Sequence, residues 1–128
     1  MARSPILLSQ GHVAFVGAGP GDPELLTMRA VRMMECADVI LHDALVPADI
    51  LAVAGDSARL VPVGKRGFGP SMKQDEINAL IIEHALGGAR VVRLKSGDPG
   101  IFGRLDEETQ ALEAAGIPYH VPPGLTAA

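Results

Sequence analysis

Two short segments bring glycine, aspartate and proline together as a ligand-binding loop does: Gly17-Ala18-Gly19-Pro20-Gly21-Asp22-Pro23, and further along Gly97-Asp98-Pro99-Gly100. Each follows a short apolar run and precedes a helical pattern, so each reads as a strand-to-helix loop. The first invites a dinucleotide-binding reading, the more so because Asp43 ends the next apolar run, where a ribose-binding acid belongs. The third glycine of that fingerprint would fall at position 22, however, and position 22 is aspartate. Followed by Pro23 at a first helical position, Asp22 has the character of an N-cap. Its carboxylate would occupy the amide donors that a pyrophosphate needs and would repel the phosphate itself. A ligand carrying positive charge is easier to accommodate. Asp98 repeats the arrangement, and capping is compatible there with ligand contact, since Gly97 and Gly100 permit close backbone approach.

The other polar residues of note read as structural. His12, His42, His84 and His120 are scattered without metal-ligand spacing, and the metal expectation is none. His42 adjoins Asp43, but strand alternation points it to the opposite face. Met33, Met34 and Cys36 read as core filler on one helix. Glu107, Glu108 and Glu113 read as a solvated helix face, and adjacent helical residues diverge too far for the first two to form a catalytic dyad.

Five strand–helix alternations must position these loops. The predicted strands are 13–16, 39–41, 60–63, 91–94 and 119–121. A helix runs through Leu26, Ala30, Met33, Met34 and Ala37, and a short one follows Pro47 and stops near Gly55. The third is announced by an S-x-x-Q capping box, Ser71 and Gln74, carries the stripe Ile77, Leu80, Ile81 and Ala85, and ends at Gly87-Gly88. The fourth runs to about Ala115 and is closed by Gly116. Short apolar strands alternating with helices predict an α/β fold: a mostly parallel five-stranded sheet with helices on both faces. Such sheets bind ligands beyond the carboxyl ends of their strands, here the loops 17–23, 42–47, 64–70, 95–100 and 122–126.

Composition narrows the function classes. The chain has 128 residues and a formal charge of −4, with 48% apolar and 20% charged residues, the proportions of one globular domain rather than a disordered tail. Gly 15 and Pro 10 exceed the usual share but sit at discrete points, as turn chemistry. Phe15, Phe68, Phe102 and Tyr119 are the only aromatics, and with an acidic balance they make a poor nucleic-acid platform. One cysteine excludes a disulfide framework. No signal-peptide core or membrane span is present in the sequence, so the expected partners include neither nucleic acid nor membrane, and the expected setting is cytoplasmic.

Several segments together carry a family resemblance: GAGPGDPELLT at 17–27, ADVILHDALV at 37–46, VGKRG at 63–67, QDEIN at 74–78, VVRLKSGDPGIFGR at 91–104 and PGLTAA at 123–128. In these the chain resembles the N-terminal part of the uroporphyrinogen-III C-methyltransferases, within the tetrapyrrole methylase superfamily. The resemblance implies residues 12–128 as the superfamily's N-terminal domain, preceded by an extension at 1–11, with a second α/β domain absent from this chain. It implies methyl transfer from S-adenosylmethionine to C2 and C7 of uroporphyrinogen III, giving precorrin-2 for sirohaem and cobalamin, by a homodimer. That donor is a sulfonium cation without phosphate, in agreement with the reading of Asp22. By matched position, cofactor contacts fall on Pro20, Ser96, Gly97, Asp98, Ile101, Thr126 and Ala127. Asp43 becomes the proton acceptor and Lys65 the proton donor, while Arg66 and Arg104 face a carboxylate-rich substrate. Ser96 stands where the family usually has glycine, and Gly100 and Leu105 also depart from the common pattern. The alternatives are a sister enzyme acting on a later precorrin, a non-catalytic half-domain that pairs with another chain and, last, a dinucleotide oxidoreductase.

Overall fold

In the computed structural model the described residues are 8–17, 28–43, 46–55, 58–63, 73–95 and 105–121. They form β1 (Val13–Gly17), α1 (Met28–Cys36), β2 (Val39–Asp43), α2 (Ala48–Leu51), β3 (Arg59–Val63), α3 (Gln74–Leu86), β4 (Val91–Lys95), α4 (Leu105–Ala115) and β5 (Tyr119–His120). The predicted alternation is therefore present element by element. Among these residues the sheet has five strands in the order β3-β2-β4-β1-β5, and every pairing is parallel.

The strand order explains why helices cover both faces. A parallel crossover is right-handed, so the direction of travel across the sheet dictates the face on which its helix lies. From β1 to β2 to β3 the chain moves one way, and α1 and α2 pack on one face. From β3 to β4 to β5 it moves back, and α3 and α4 pack on the other. On the first face Ala14, Val16, Ile40, Val92 and Leu94 meet Ala30, Met33 and Met34 of α1 and Ile50 of α2. On the second, Val13, Phe15, Val39, Leu41 and Val91 meet Ile77, Ile81 and Ala85 of α3 and Leu112 of α4. Burial on both faces is why the central strands read as unbroken apolar runs. Leu8, ahead of the first strand, is itself buried in the α1–α2 core, and its carbonyl accepts a hydrogen bond from Arg90 Nε at 3.2 Å. Among the described residues no helix is long and apolar enough to cross a membrane.

Helix ends follow local chemistry, with one shift of register. The helix α3 begins at Gln74, so Gln74 is its first residue rather than the third-position partner of Ser71, which lies outside the described residues. Lys73 precedes the helix in an extended conformation, and its N–H donates to Glu76 Oε1 at 2.9 Å. The reach-back carboxylate of a capping box is thus supplied by Glu76. The last turns of α3 and α4 close alike. Gly88 at φ 91° and Gly116 at φ 75° take the left-handed conformation. Behind them Ala89 N–H bonds His84 O and Ile117 N–H bonds Leu112 O, satisfying carbonyls that the helix leaves open.

Two further expectations are corrected. Met33 and Met34 are buried, but Cys36, at the end of α1, is exposed. Nor is Glu108 part of a solvated face: it is completely buried, because the partners described next neutralise it.

Candidate functional site

Strand β4 alternates as its pairing requires. Val92 and Leu94 enter the apolar core under α1 and α2, and Val91, Arg93 and Lys95 point to the α3–α4 side. Val91 is met there by other apolar residues. Arg93 and Lys95, nearer the carboxyl end, cannot be, so burial demands charged partners. Glu108 of α4 is that partner for both. Arg93 Nε donates to Glu108 Oε2 at 3.2 Å, and Lys95 Nζ lies 2.9 Å from Oε1, within ion-pair distance though not aligned as a hydrogen bond. Gln74 Nε2 adds a donor to Oε2 at 3.1 Å, and donates also to Asn78 Oδ1. The first residue of α3 and the first turn of α4 are thereby tied to one carboxylate.

Arg93 then reaches β2. Its Nη2 donates to Asp43 Oδ1 at 2.9 Å, and its Nη1 makes longer hydrogen bonds to the carbonyls of Leu41, at 3.4 Å, and Leu94, at 3.3 Å. The Arg93 side chain is 3% exposed, that of Glu108 0%, and that of Asp43 28%. Asp43 is therefore the surface-facing end of a charged cluster that runs inward from the carboxyl ends of β2 and β4. Pairing of these two strands covers Val39 to His42 against Val91 to Leu94, and Asp43 stands just beyond it. Neighbouring strand ends whose following helices lie on opposite faces form the crevice where such sheets bind ligands. That condition is met on both sides of β4, between β2 and β4 and between β4 and β1.

Of the residues singled out from the sequence, Asp43 falls among those described and lies at this crevice. Lys65, Arg66, Pro20, Ser96, Gly97, Asp98, Ile101, Arg104, Thr126 and Ala127 lie outside the described residues. His42 points away from Asp43's face, as alternation required, and is buried with a contact of 3.0 Å between its Nδ1 and Asp43 O. His12 and His120, far apart in the chain, are brought together by the β1–β5 pairing, with ring nitrogens 3.1 Å apart and the rings stacked. Among the described residues no group of three potential metal ligands occurs. Sequence reasoning missed Arg93, Lys95 and Glu108. A signal was available: V-V-R-L-K places two cations on one side of an otherwise buried strand, and Glu108 shares a helix stripe with Leu112, four residues on.

A parallel sheet with this strand order, and a carboxylate anchored at its crevice, defines a class of ligand-binding α/β fold, and the sequence match assigns the class. Residues 12–128 match the family described as Tetrapyrrole (Corrin/Porphyrin) Methylases, and the chain belongs to that family. It is 58% identical over 118 residues to a siroheme synthase of Methylococcus capsulatus, covering 92% of this chain and 25% of the relative. It is 53% identical over 119 residues to a uroporphyrinogen-III C-methyltransferase of Paracoccus denitrificans, covering 92% of this chain and 41% of the relative. A solved structure of uroporphyrin-III C-methyltransferase from Thermus thermophilus, complexed with S-adenyl homocysteine, superposes with a TM-score of 0.78 at 47% identity, covering 91% of this chain and 49% of that one. The chain thus spans half or less of the length of these relatives.

Proposed function

We propose that this chain forms one α/β half of a uroporphyrinogen-III C-methyltransferase, which moves methyl groups from S-adenosylmethionine to C2 and C7 of uroporphyrinogen III and yields precorrin-2. The observation that carries the reading is the Asp43 carboxylate, held by Arg93 at the crevice between β2 and β4. It is supported by the family membership and by the Thermus thermophilus relative, whose structure holds the demethylated donor. Aspartate at position 22, where a dinucleotide fingerprint has its third glycine, disfavours a pyrophosphate and leaves a sulfonium donor the better fit. The methyl donor and the tetrapyrrole are both substrates of this reaction. Contacts to the donor are assigned to Pro20, Ser96, Gly97, Asp98, Ile101, Thr126 and Ala127.

In the transfer a pyrrole carbon attacks the sulfonium methyl in line. The new C–C bond forms as the S–CH3 bond breaks, and the electron pair stays on sulfur. The domain's contribution to this step is to orient the two reactants. The attacked ring is left positively charged and is neutralised by losing a proton. Asp43 accepts it, and where the macrocycle rearranges its hydrogens Lys65 delivers a proton at one position as another leaves a different one, so that each methyl transfer still releases one proton net. Arg66 and Arg104 anchor the substrate's carboxylates. The whole protein works as a cytoplasmic homodimer, and the 128-residue chain alone has little or no activity.

The test is incubation of the whole protein with S-adenosylmethionine and uroporphyrinogen III, followed by mass analysis of the tetrapyrrole. A doubly methylated product is expected. Methylation of a later precorrin only would assign the chain to a sister enzyme. Tight uptake of NAD with indifference to S-adenosylhomocysteine would overturn the reading altogether. Asp43→Ala is expected to lower kcat by about 100-fold or more, within the range of a lost general base, while S-adenosylhomocysteine affinity stays nearly constant. A loss confined to donor affinity would show that Asp43 binds rather than accepts.

A further inference from the structure

Asp43 ends a strand, where a side chain ordinarily samples several rotamers, yet proton acceptance requires its carboxylate to be in one place when the ring becomes charged. The surrounding contacts supply that restraint from below. Each nitrogen of the Arg93 guanidinium has an acceptor: Nε has Glu108 Oε2, Nη1 has the carbonyls of Leu41 and Leu94, and Nη2 has Asp43 Oδ1. A planar fork held at three corners cannot rotate without breaking several hydrogen bonds at once, so the atom presented to Asp43 is fixed in direction as well as distance. Glu108 is fixed in turn by Lys95 and Gln74.

We infer that Arg93 is a positioning residue: braced by Glu108 and two main-chain carbonyls, its Nη2 fixes the Asp43 carboxylate at the crevice in the orientation needed to accept a proton. The inference rests on the reading of Asp43 as the acceptor. It extends that reading to Arg93 and Glu108, buried beneath Asp43, which act through it. Lysine in place of Arg93 keeps the charge, but a single ammonium cannot hold Glu108, Asp43 and both carbonyls together.

The experiment is a double-mutant cycle in the whole protein, with Arg93→Lys, Asp43→Asn and the two combined, measured for kcat and KM with uroporphyrinogen III and for S-adenosylhomocysteine affinity. Arg93→Lys should lower kcat by about 10- to 100-fold, the scale expected when a reacting group is misplaced by about an ångström. Its S-adenosylhomocysteine affinity should hold within about threefold, since it acts through Asp43 rather than on the donor. The double variant should be no slower than Asp43→Asn alone, since Arg93 has nothing left to position. Losses that multiply in the double variant, or an Arg93→Lys protein as fast as the unaltered one, would overturn the inference and leave the role of Asp43 intact. Full turnover by Asp43→Asn would instead overturn the reading beneath it. If Arg93→Lys fails to fold, judged by lost S-adenosylhomocysteine binding, arginine-labelled NMR of the unaltered protein decides. Restricted rotation of the Arg93 guanidinium, released in Asp43→Asn, upholds the inference, and free rotation in the unaltered protein overturns it.

Discussion

The two faces of the sheet are built from the same strands, yet they differ at the carboxyl end. Under α1 and α2, β4 contributes Val92 and Leu94, and the packing is apolar apart from buried His42, the register partner of Leu94. Under α3 and α4 the same strand contributes Val91, then Arg93, then Lys95, so that an apolar core gives way to a charged cluster toward the crevice. Both faces are buried, but they are buried for different reasons. Apolar packing gains stability from surface removed from water. Buried ion pairs seldom improve on apolar packing in net stability. The second face therefore carries a feature that stability alone does not call for, and it lies where a ligand would sit.

Substitutions on the two faces should separate these purposes. The largest effect is expected from Glu108→Ala, which leaves Arg93 and Lys95 buried without their shared carboxylate. It should cost roughly 3–5 kcal/mol of folding stability and lower turnover in the molecules that remain folded, as read by denaturant unfolding and by kcat normalised to the folded fraction. Stability close to that of the unaltered protein would break the contrast between the faces. On the apolar face Met34→Ala should cost about 2–5 kcal/mol through lost contacts and a residual cavity, with turnover per folded molecule unchanged. A specific loss of kcat there would show that both faces serve the reaction.

The smallest effect concerns an exposed carboxylate on the same helix as Glu108. The Tyr119 hydroxyl donates to Glu113, and chiefly this hydrogen bond, with smaller contributions from burial and from the Glu113 charge, raises the phenol above its ordinary range. The folded form holds the proton more tightly than the unfolded one. The associated stabilisation is therefore present below the unfolded phenol's pKa, about 10, and is lost as pH rises through the folded value. Tyr119 is the one tyrosine of this sequence, so ultraviolet titration of the chain reports it alone. Glu113→Ala should bring the midpoint down with only a small loss of stability at neutral pH, as for an exposed pair, and an unmoved midpoint would mean that the contact with Glu113 is not what holds the proton.

The fold was legible because its signals are local. Each strand is a short apolar run bounded by glycine or a turn, and the closing glycines of α3 and α4 mark helix ends directly. The position of Asp43 at the tip of β2 was legible for the same reason. The cluster beneath it was not, because the burial of a charge depends on partners distant in the chain: Arg93 lies 50 residues from Asp43 and 15 from Glu108. Read alone, three glutamates in one helix look like a solvated face. Only the packing of α4 over β4 separates buried Glu108 from exposed Glu113. The capping of α3 shows a smaller version of the problem, since S-x-x-Q and K-x-x-E overlap and local pattern does not choose between them.

The Arg93 fork also joins main chain to main chain. At the last two register pairs of these strands, Leu41 with Arg93 and His42 with Leu94, a guanidinium bonds Leu41 O on one side and Leu94 O on the other. One side chain thus adds a brace across the two strands at the end of their ladder, beside the peptide-to-peptide pairing. Changing that single residue would remove a tie between β2 and β4 without touching the ladder beneath it.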